Sequence, residues 1–384
     1  MVKEKAILRT PGPTPIPGRV QAAMNQPMIG HRGEEFVELF RGTAERLKPI
    51  FGTKQDILIL SSSGTSALEA AVVNAVSPGE EVVVVVAGAF GDRFASICER
   101  YGVITHRLEI EYGEACSPEK LSGFLSQHPG TKAVIATYCE TSTGVLNPVP
   151  ELARVVREET EALFIVDGVS CIGGVQARMD DWGIDILVTG SQKAMMLPPG
   201  LAFAGVSERA WDVIGQNKAP SFYLSLPAHL DSHKKGMTPY TPAISLIYGL
   251  SEVCTMIEEE GFENVVRRHE LMKKMTRAAI KALGLPLLAE DAYASPTVTS
   301  VVSSDDFDAS RLQKLMKKEF HMAFAAGQKK LKGRLLRIGH MGWCFPSDVL
   351  TAVAYIELGL QKMSIKIEPG AGVKAAEEVY LRGI

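Results

Sequence analysis

The sequence predicts an α/β fold: a large domain on a mostly parallel, seven-stranded sheet flanked by helices, then a smaller C-terminal α+β domain. Three observations predict it. From residue 55 onward, short apolar runs alternate with helix-forming segments. The runs are apolar at consecutive positions, which fits strands buried on both faces. After about residue 245 the texture changes to long helical stretches with a few isolated strands.

The chain opens on Thr10-Pro11-Gly12-Pro13-Thr14-Pro15-Ile16-Pro17-Gly18, which cannot be helix or central strand. Residues 1–20 therefore read as an extended arm that must lie on something else. Residues 21–260 form the large domain. Its predicted strands are 57–60, 81–87, 103–108, 132–138, 163–166, 184–189 and 201–206, with helices at 67–76, 90–101, 118–127 and 150–159 between them. The short link between the last two strands leaves little room for a crossover helix, which allows the final strand to run antiparallel. Residues 261–384 form the small domain. A helical stretch over 244–283, interrupted near Gly261, leads into strands at 297–302 and 335–338 and helices at 310–319 and 348–362.

Composition bounds the function. With 384 residues, 46% hydrophobic and 22% charged, the chain fits a globular protein of two domains. A net charge of -3 recommends neither a nucleic acid nor an anionic membrane as partner. The six cysteines are scattered and form no C-x-x-C pair, so neither a disulfide framework nor a metal is expected. Scattered cysteines and the lack of an apolar leader suggest the cytoplasm.

Four features carry chemistry. Ser61 to Glu69, with Ser63-Gly64-Thr65 at its centre, follows a strand and opens a helix. Small residues let a ligand approach, and free N–H groups with a positive dipole end suit a phosphate. A plain Ser/Thr N-cap is the alternative. Asp167 ends the 163–166 strand and could face a cationic ligand atom or cap the next turn. Lys193, in Ser191-Gln192-Lys193, follows a strand in small, apolar surroundings, where desolvation makes an amine nucleophilic. Arg337 stands within an apolar strand, where its fork usually needs an anionic partner.

In order along the chain, Pro11-Gly12-Pro13, Ser63-Gly64-Thr65, Gly88 to Arg93, Glu140 to Gly144, Val166-Asp167, Ser191-Gln192-Lys193 and Arg337-Ile338-Gly339 resemble the class V, fold-type I pyridoxal-phosphate aminotransferases. The nearest branch is the serine–pyruvate/alanine–glyoxylate aminotransferase family, and the resemblance covers nearly the whole chain. It implies that Lys193 carries pyridoxal 5'-phosphate as a Schiff base and later moves a proton. Asp167 would pair with the ring nitrogen and Phe90 would stack on the ring, where relatives often carry a larger aromatic residue. Ser63, Gly64, Thr65 and Gln192 would hold the phosphate, and Thr141 would bond or adjoin the phenolic oxygen. Arg337 would clamp the substrate carboxylate, with Gly12 and His31 beside the substrate. Gly236 to Pro242 resembles a stretch that reaches the partner's phosphate across a dimer, with Thr238 the chosen contact. The implied enzyme is a homodimer with shared active sites. It would move an amino group from alanine or serine to glyoxylate or pyruvate by a ping-pong mechanism.

There are departures. Alanine–glyoxylate enzymes usually carry other residues where this chain has His31-Arg32 and His340. The ureidoglycine branch tends to have Gln at position 31. Phosphoserine aminotransferases share His31-Arg32 but differ around the lysine. A cysteine desulfurase is the competing enzyme, with Cys344 as its candidate nucleophile; Gln192 stands where desulfurases normally have histidine. A catalytically idle subunit and a plain nucleotide-binding protein are further alternatives. With Arg337 as the single clamp, small monocarboxylates are favoured. Arg32 is the second cation the sequence offers to a dicarboxylate.

Overall fold

The computed structural model describes residues 6–217 and 220–383. The large sheet has seven strands: β1 (Ile57–Leu60), β2 (Glu81–Val86), β3 (Ile104–Glu109), β4 (Thr131–Thr137), β5 (Leu163–Asp167), β6 (Ile186–Gly190) and β7 (Ala202–Val206). Their order across the sheet is β1-β7-β6-β5-β4-β2-β3. All neighbours are parallel except β7, which runs antiparallel to both β6 and β1. The short link between the last two strands had allowed for that reversal.

Both faces of the sheet are buried, as the continuous apolar runs required. In β2, Val83 and Val85 pack into one core, while Val82, Val84 and Val86 pack into the other. Each such side chain contributes roughly 1.5–3 kcal/mol relative to exposure. The helices Gly64–Ala75, Ala89–Arg100, Pro118–Leu125 and Val149–Glu159 fall within a few residues of their predicted positions.

The second layer is a three-stranded sheet of β8 (Val298–Val302), β9 (Ala325–Ala326) and β10 (Leu335–Gly339), ordered β8-β10-β9. Helices Ala309–Glu319 and Pro346–Lys362 pack on it around Val301, Leu336 and Ile338. Gly261, at φ +81°, separates helix Ile244–Glu260 from Phe262–Ala282 where the interruption was expected. The last helix, Ala371–Arg382, packs on Phe262–Ala282 and had no counterpart in the sequence reading.

The N-terminal arm is folded in. Ile7–Leu8 pairs with Met322–Ala323. The carbonyl of Arg9 accepts from the Gly339 N–H at 2.7 Å, and Thr14 N–H donates to the Gln192 carbonyl at 3.1 Å. The arm thus ties the end of β10 to the loop after β6. Among the described residues no helix is long and apolar enough to cross a membrane.

Candidate active site

Strands β1, β2, β4, β5 and β6 point the same way, so their carboxyl ends share one margin of the sheet. Open α/β sheets place ligands there. A cavity of about 290 Å³ lies at this margin, lined by Gly12, Ser63, Gly64, Thr65, Phe90, Arg93, Asp167, Gln192 and Lys193, among others. That is the low end of the range for small-molecule sites, about 300–1,000 Å³.

The loop after β6 holds Lys193 in place. Ser191 closes it: its N–H donates to the Leu201 carbonyl at 3.0 Å, and its hydroxyl donates to the Pro198 carbonyl at 2.7 Å. From the arm, Thr14 Oγ1 donates to the Lys193 carbonyl at 2.9 Å. The lysine amine donates to the Pro11 carbonyl at 2.6 Å. Gly12 is required here. Its φ is +122°, and a Cβ would lie 2.3 Å from Lys193 Cδ.

Lys193 opens on the cavity, yet its amine is withdrawn from solvent. Burial pushes the amine down to about 8, and the positive charges of Arg337 and Arg93 add to the effect. Asp167 ends β5 almost fully buried, and its Oδ1 accepts from Val169 N–H at 2.8 Å. Burial raises this carboxyl to about 6, against the Val169 hydrogen bond and the nearby Lys193 and Arg93. Without bound ligand, folded Asp167 therefore holds a proton more firmly than the unfolded chain. Its contribution to stability is present below about pH 4 and is lost as pH rises through about 6. The melting temperature of ligand-stripped protein should fall across this window. Asp167→Asn should lessen that fall, the part due to Glu140 and Asp185 remaining; an unchanged pH profile would contradict the assigned burial.

The helix Gly64–Ala75 begins at the cavity. Ser63 occupies the N-cap position, but no side chain caps it. The simple capping alternative therefore does not describe this turn. Gln192 Oε1 is buried without a hydrogen-bond partner. An uncapped helix start, whose N–H groups donate, and a desolvated carboxylate are open positions for a ligand. They fit a group with an anionic arm and a cationic ring atom, as pyridoxal phosphate has.

Phe90 lies in the first turn of helix Ala89–Arg100, and its ring centroid is 5.9 Å from Lys193 Nζ. The turn is fixed by Glu140, which is fully buried. Its carboxylate accepts from Phe90 N–H at 3.1 Å, Gly91 N–H at 3.0 Å and Ser142 N–H at 3.1 Å. Arg337, on β10, is also buried. It donates to the carbonyls of Thr141 at 3.0 Å and Ala326 at 2.9 Å. Among the described residues it has no carboxylate partner, and burial pushes it down to about 10. The guanidinium is hydrogen-bonded to carbonyls alone, with the charge of Glu140 acting on it without direct contact, and a bound anion would give it a direct partner. Arg337 stands beyond the cavity wall, and of all charges it acts most strongly on Lys193.

Besides Arg337, three sequence candidates do not line this cavity. Thr141 is buried, with its hydroxyl on that of Ser170. Thr238 Oγ1 donates to the Tyr240 carbonyl at 2.6 Å. His31 sits half-buried in the turn before helix Glu34–Phe51. Arg32 does not supply the second cation: it donates to the carbonyls of Thr238 at 2.8 Å and Pro239 at 3.2 Å. Arg93 is a cation that lines the cavity, with its guanidinium 4.8 Å from the Phe90 ring centroid. Its place three residues past Phe90 on the same helix was the available signal. His340 is a core histidine, bonded to Thr299 Oγ1 and the Pro296 carbonyl, both at 2.9 Å. Cys344 is buried, and burial pushes its thiol up to about 12. So little thiolate forms there that a desulfurase nucleophile is physically disfavoured.

Known proteins resemble this chain along nearly its whole length. The aminotransferase class-V family pattern matches residues 11–342. A Synechococcus protein named soluble hydrogenase, small subunit, is 41% identical over 98% of this chain and 99% of its own. An L-aspartate–glyoxylate aminotransferase of Paracoccus denitrificans is 35% identical over 96% and 95%. A serine–glyoxylate aminotransferase of Methylorubrum extorquens is 34% identical over 98% and 96%. The crystal structure of ureidoglycine–glyoxylate aminotransferase from Bacillus subtilis superposes with a TM-score of 0.92 at 31% identity, covering 99% of each chain.

Proposed function

The chain belongs to the class-V aminotransferase family, fold-type I enzymes that depend on pyridoxal phosphate, and we propose that the cavity beside Lys193 holds this cofactor. The reaction moves an amino group from a small amino acid to a small 2-oxo acid, glyoxylate or pyruvate, in two half-reactions of ping-pong type. The observation that carries the reading is a lysine amine lowered to about 8 in one cavity with a buried carboxylate.

When bound, pyridoxal phosphate supplies an electron sink for the pair left at the substrate's Cα. Lys193 anchors it, and once displaced, Nζ takes the Cα proton as general base. An amine near 8 has a useful neutral fraction at neutral pH. Asp167 holds the proton on the ring nitrogen by charge pairing. The N–H groups at the start of helix Gly64–Ala75, with Ser63, Thr65 and Gln192, bind the phosphate. Phe90 covers the ring, and Glu140 orients Phe90 through the backbone. Arg337 binds the substrate carboxylate.

The working unit is a homodimer in the cytoplasm. Met28 and Phe222 are large apolar side chains at 69% and 82% exposure, and the Phe222 ring is 5.4 Å from that of Tyr240, beside the Thr238 segment. Surface of that kind suits contact with a second copy, and Thr238 would reach the partner's cofactor there. All six cysteines are buried free thiols, which fits a reducing compartment.

Steady-state assays of alanine, serine and aspartate with glyoxylate, pyruvate and 2-oxoglutarate test the substrate class. Transfer from small amino acids to glyoxylate or pyruvate is expected; no transfer with any pair would overturn the proposal. Arg93 favours a second reading, in which the donor carries a distal carboxylate. It lines the cavity, and among the described residues it has no acidic partner. An added charge-assisted hydrogen bond contributes about 1.5–3 kcal/mol, and solvent exposure puts this one at the lower end. Arg93→Ala should then reduce kcat/KM for aspartate by about tenfold and leave alanine and serine nearly unchanged. Equal loss for all three donors would remove Arg93 from this role.

A further inference from the structure

At the opposite margin of the large sheet, three potential ligands converge. Glu81 is the first residue of β2, His106 lies on the edge strand β3, and His128 lies in the turn between helix Pro118–Leu125 and β4. One ligand atom from each can be chosen so that all three lie within 4.8 Å of one another. We propose that Glu81, His106 and His128 form a binding site for a borderline divalent ion, Zn²⁺ being the type case, that clips the edge strand to the turn before β4.

The donor chemistry supports this. Two imidazoles and one carboxylate suit Zn²⁺ and its neighbours better than the hard ions Mg²⁺ or Ca²⁺, which prefer all-oxygen sets. Glu81 is bonded by His106 Nε2 at 2.9 Å and, among the described residues, has no lysine or arginine partner. Its charge therefore stays available to an ion. The three side chains are partly exposed, which gives an ion access. All six cysteines are buried, so thiols do not compete at the surface.

The geometry also says what binding must do. The His106 and His128 rings are stacked, with centroids 3.8 Å apart and an interplanar angle of 22°. Lone pairs of nearly parallel rings do not meet at one point. Two ligands of a tetrahedral zinc ion lie roughly 3.4 Å apart. Ion entry therefore turns one imidazole out of the stack and replaces the His106–Glu81 hydrogen bond by two metal bonds. A water completes the shell.

The site's role is structural. β2 runs from Glu81 to the Phe90 end, so its six residues separate the ion from the catalytic cavity by roughly 20 Å. An ion that binds the folded chain alone raises its stability by mass action.

The test is zinc binding to the holoenzyme by equilibrium dialysis, with thermal melting alongside. One ion per chain at micromolar free zinc, with a raised melting temperature, is expected. His106→Ala and His128→Ala should each weaken binding by at least the roughly 10–100-fold seen for outer-shell changes, and transaminase activity shows whether each variant is folded. Lack of stoichiometric binding by the wild type would overturn the proposal. So would unchanged affinity in an active His106→Ala/His128→Ala double variant.

Discussion

Replacing Lys193 with alanine should abolish turnover. Two roles are lost together. In the proposed mechanism the amine anchors the cofactor, and it carries the Cα proton. General acid–base transfer alone contributes about 10²–10⁴-fold, so the combined loss should exceed that. The variant should also lose the visible absorbance of lysine-bound cofactor. Its fold should not suffer. The folded-state amine titrates near 8, below its ordinary 10.5. A lysine depressed in this way detracts from stability below about pH 8, and the deficit is recovered as pH rises toward 10.5. Ligand-stripped Lys193→Ala should therefore melt no lower than wild type at neutral pH. A variant with wild-type turnover would remove Lys193 from the mechanism.

Arg337→Ala should lower kcat/KM by about 30- to 5,000-fold, the equivalent of the roughly 2–5 kcal/mol lost when a buried charge pair is broken. The loss should fall on every amino acid and oxo acid, since all carry the carboxylate that Arg337 is proposed to grip. A second effect separates this role from a merely structural one. Arg337 is the charge that most depresses Lys193. Removing it should raise the lysine amine and move the acid-side limb of the pH–rate profile, along which the general base loses its proton, to higher pH. Arg337→Lys should restore the charge effect but only part of the binding, because an ammonium cannot make two parallel bonds to a carboxylate. Melting curves should accompany these assays, since the Thr141 and Ala326 carbonyls lose their donor. A folded Arg337→Ala enzyme with unchanged kcat/KM would contradict the assignment.

The large sheet was legible because its strands carry their own signature. Runs such as Val82 to Val86 have one structural use, burial on both faces. The reversal at β7 was legible from chain length alone. Helices Glu34–Phe51 and Ala371–Arg382 were not: the first contains Pro49 and the second ends the chain, so neither is bracketed by strands. Within the site, Lys193, Asp167 and the Ser63–Thr65 turn stood out because they end or follow strands, where backbone direction places side chains at one margin; Gln192 stood out by the resemblance. Arg93 lines the cavity, and Arg32, the cation the sequence suggested, does not. Both are arginines near the expected cavity, and only the course of the 236–242 segment decides that Arg32 meets carbonyls instead. The Pro11 carbonyl was invisible because a main-chain acceptor leaves no mark on the sequence. Glu81, His106 and His128 are up to 47 residues apart. Only the pairing of β2 with β3 brings the first two together.

The central claim is that Lys193 is the residue to which pyridoxal phosphate is bound. Borohydride reduction of the holoenzyme fixes the cofactor to whichever lysine holds it, and peptide mass analysis then finds it. The account predicts one reduced cofactor per chain, on the peptide containing Ser191-Gln192-Lys193. A label on another lysine, or no label on protein that binds the cofactor, would contradict it.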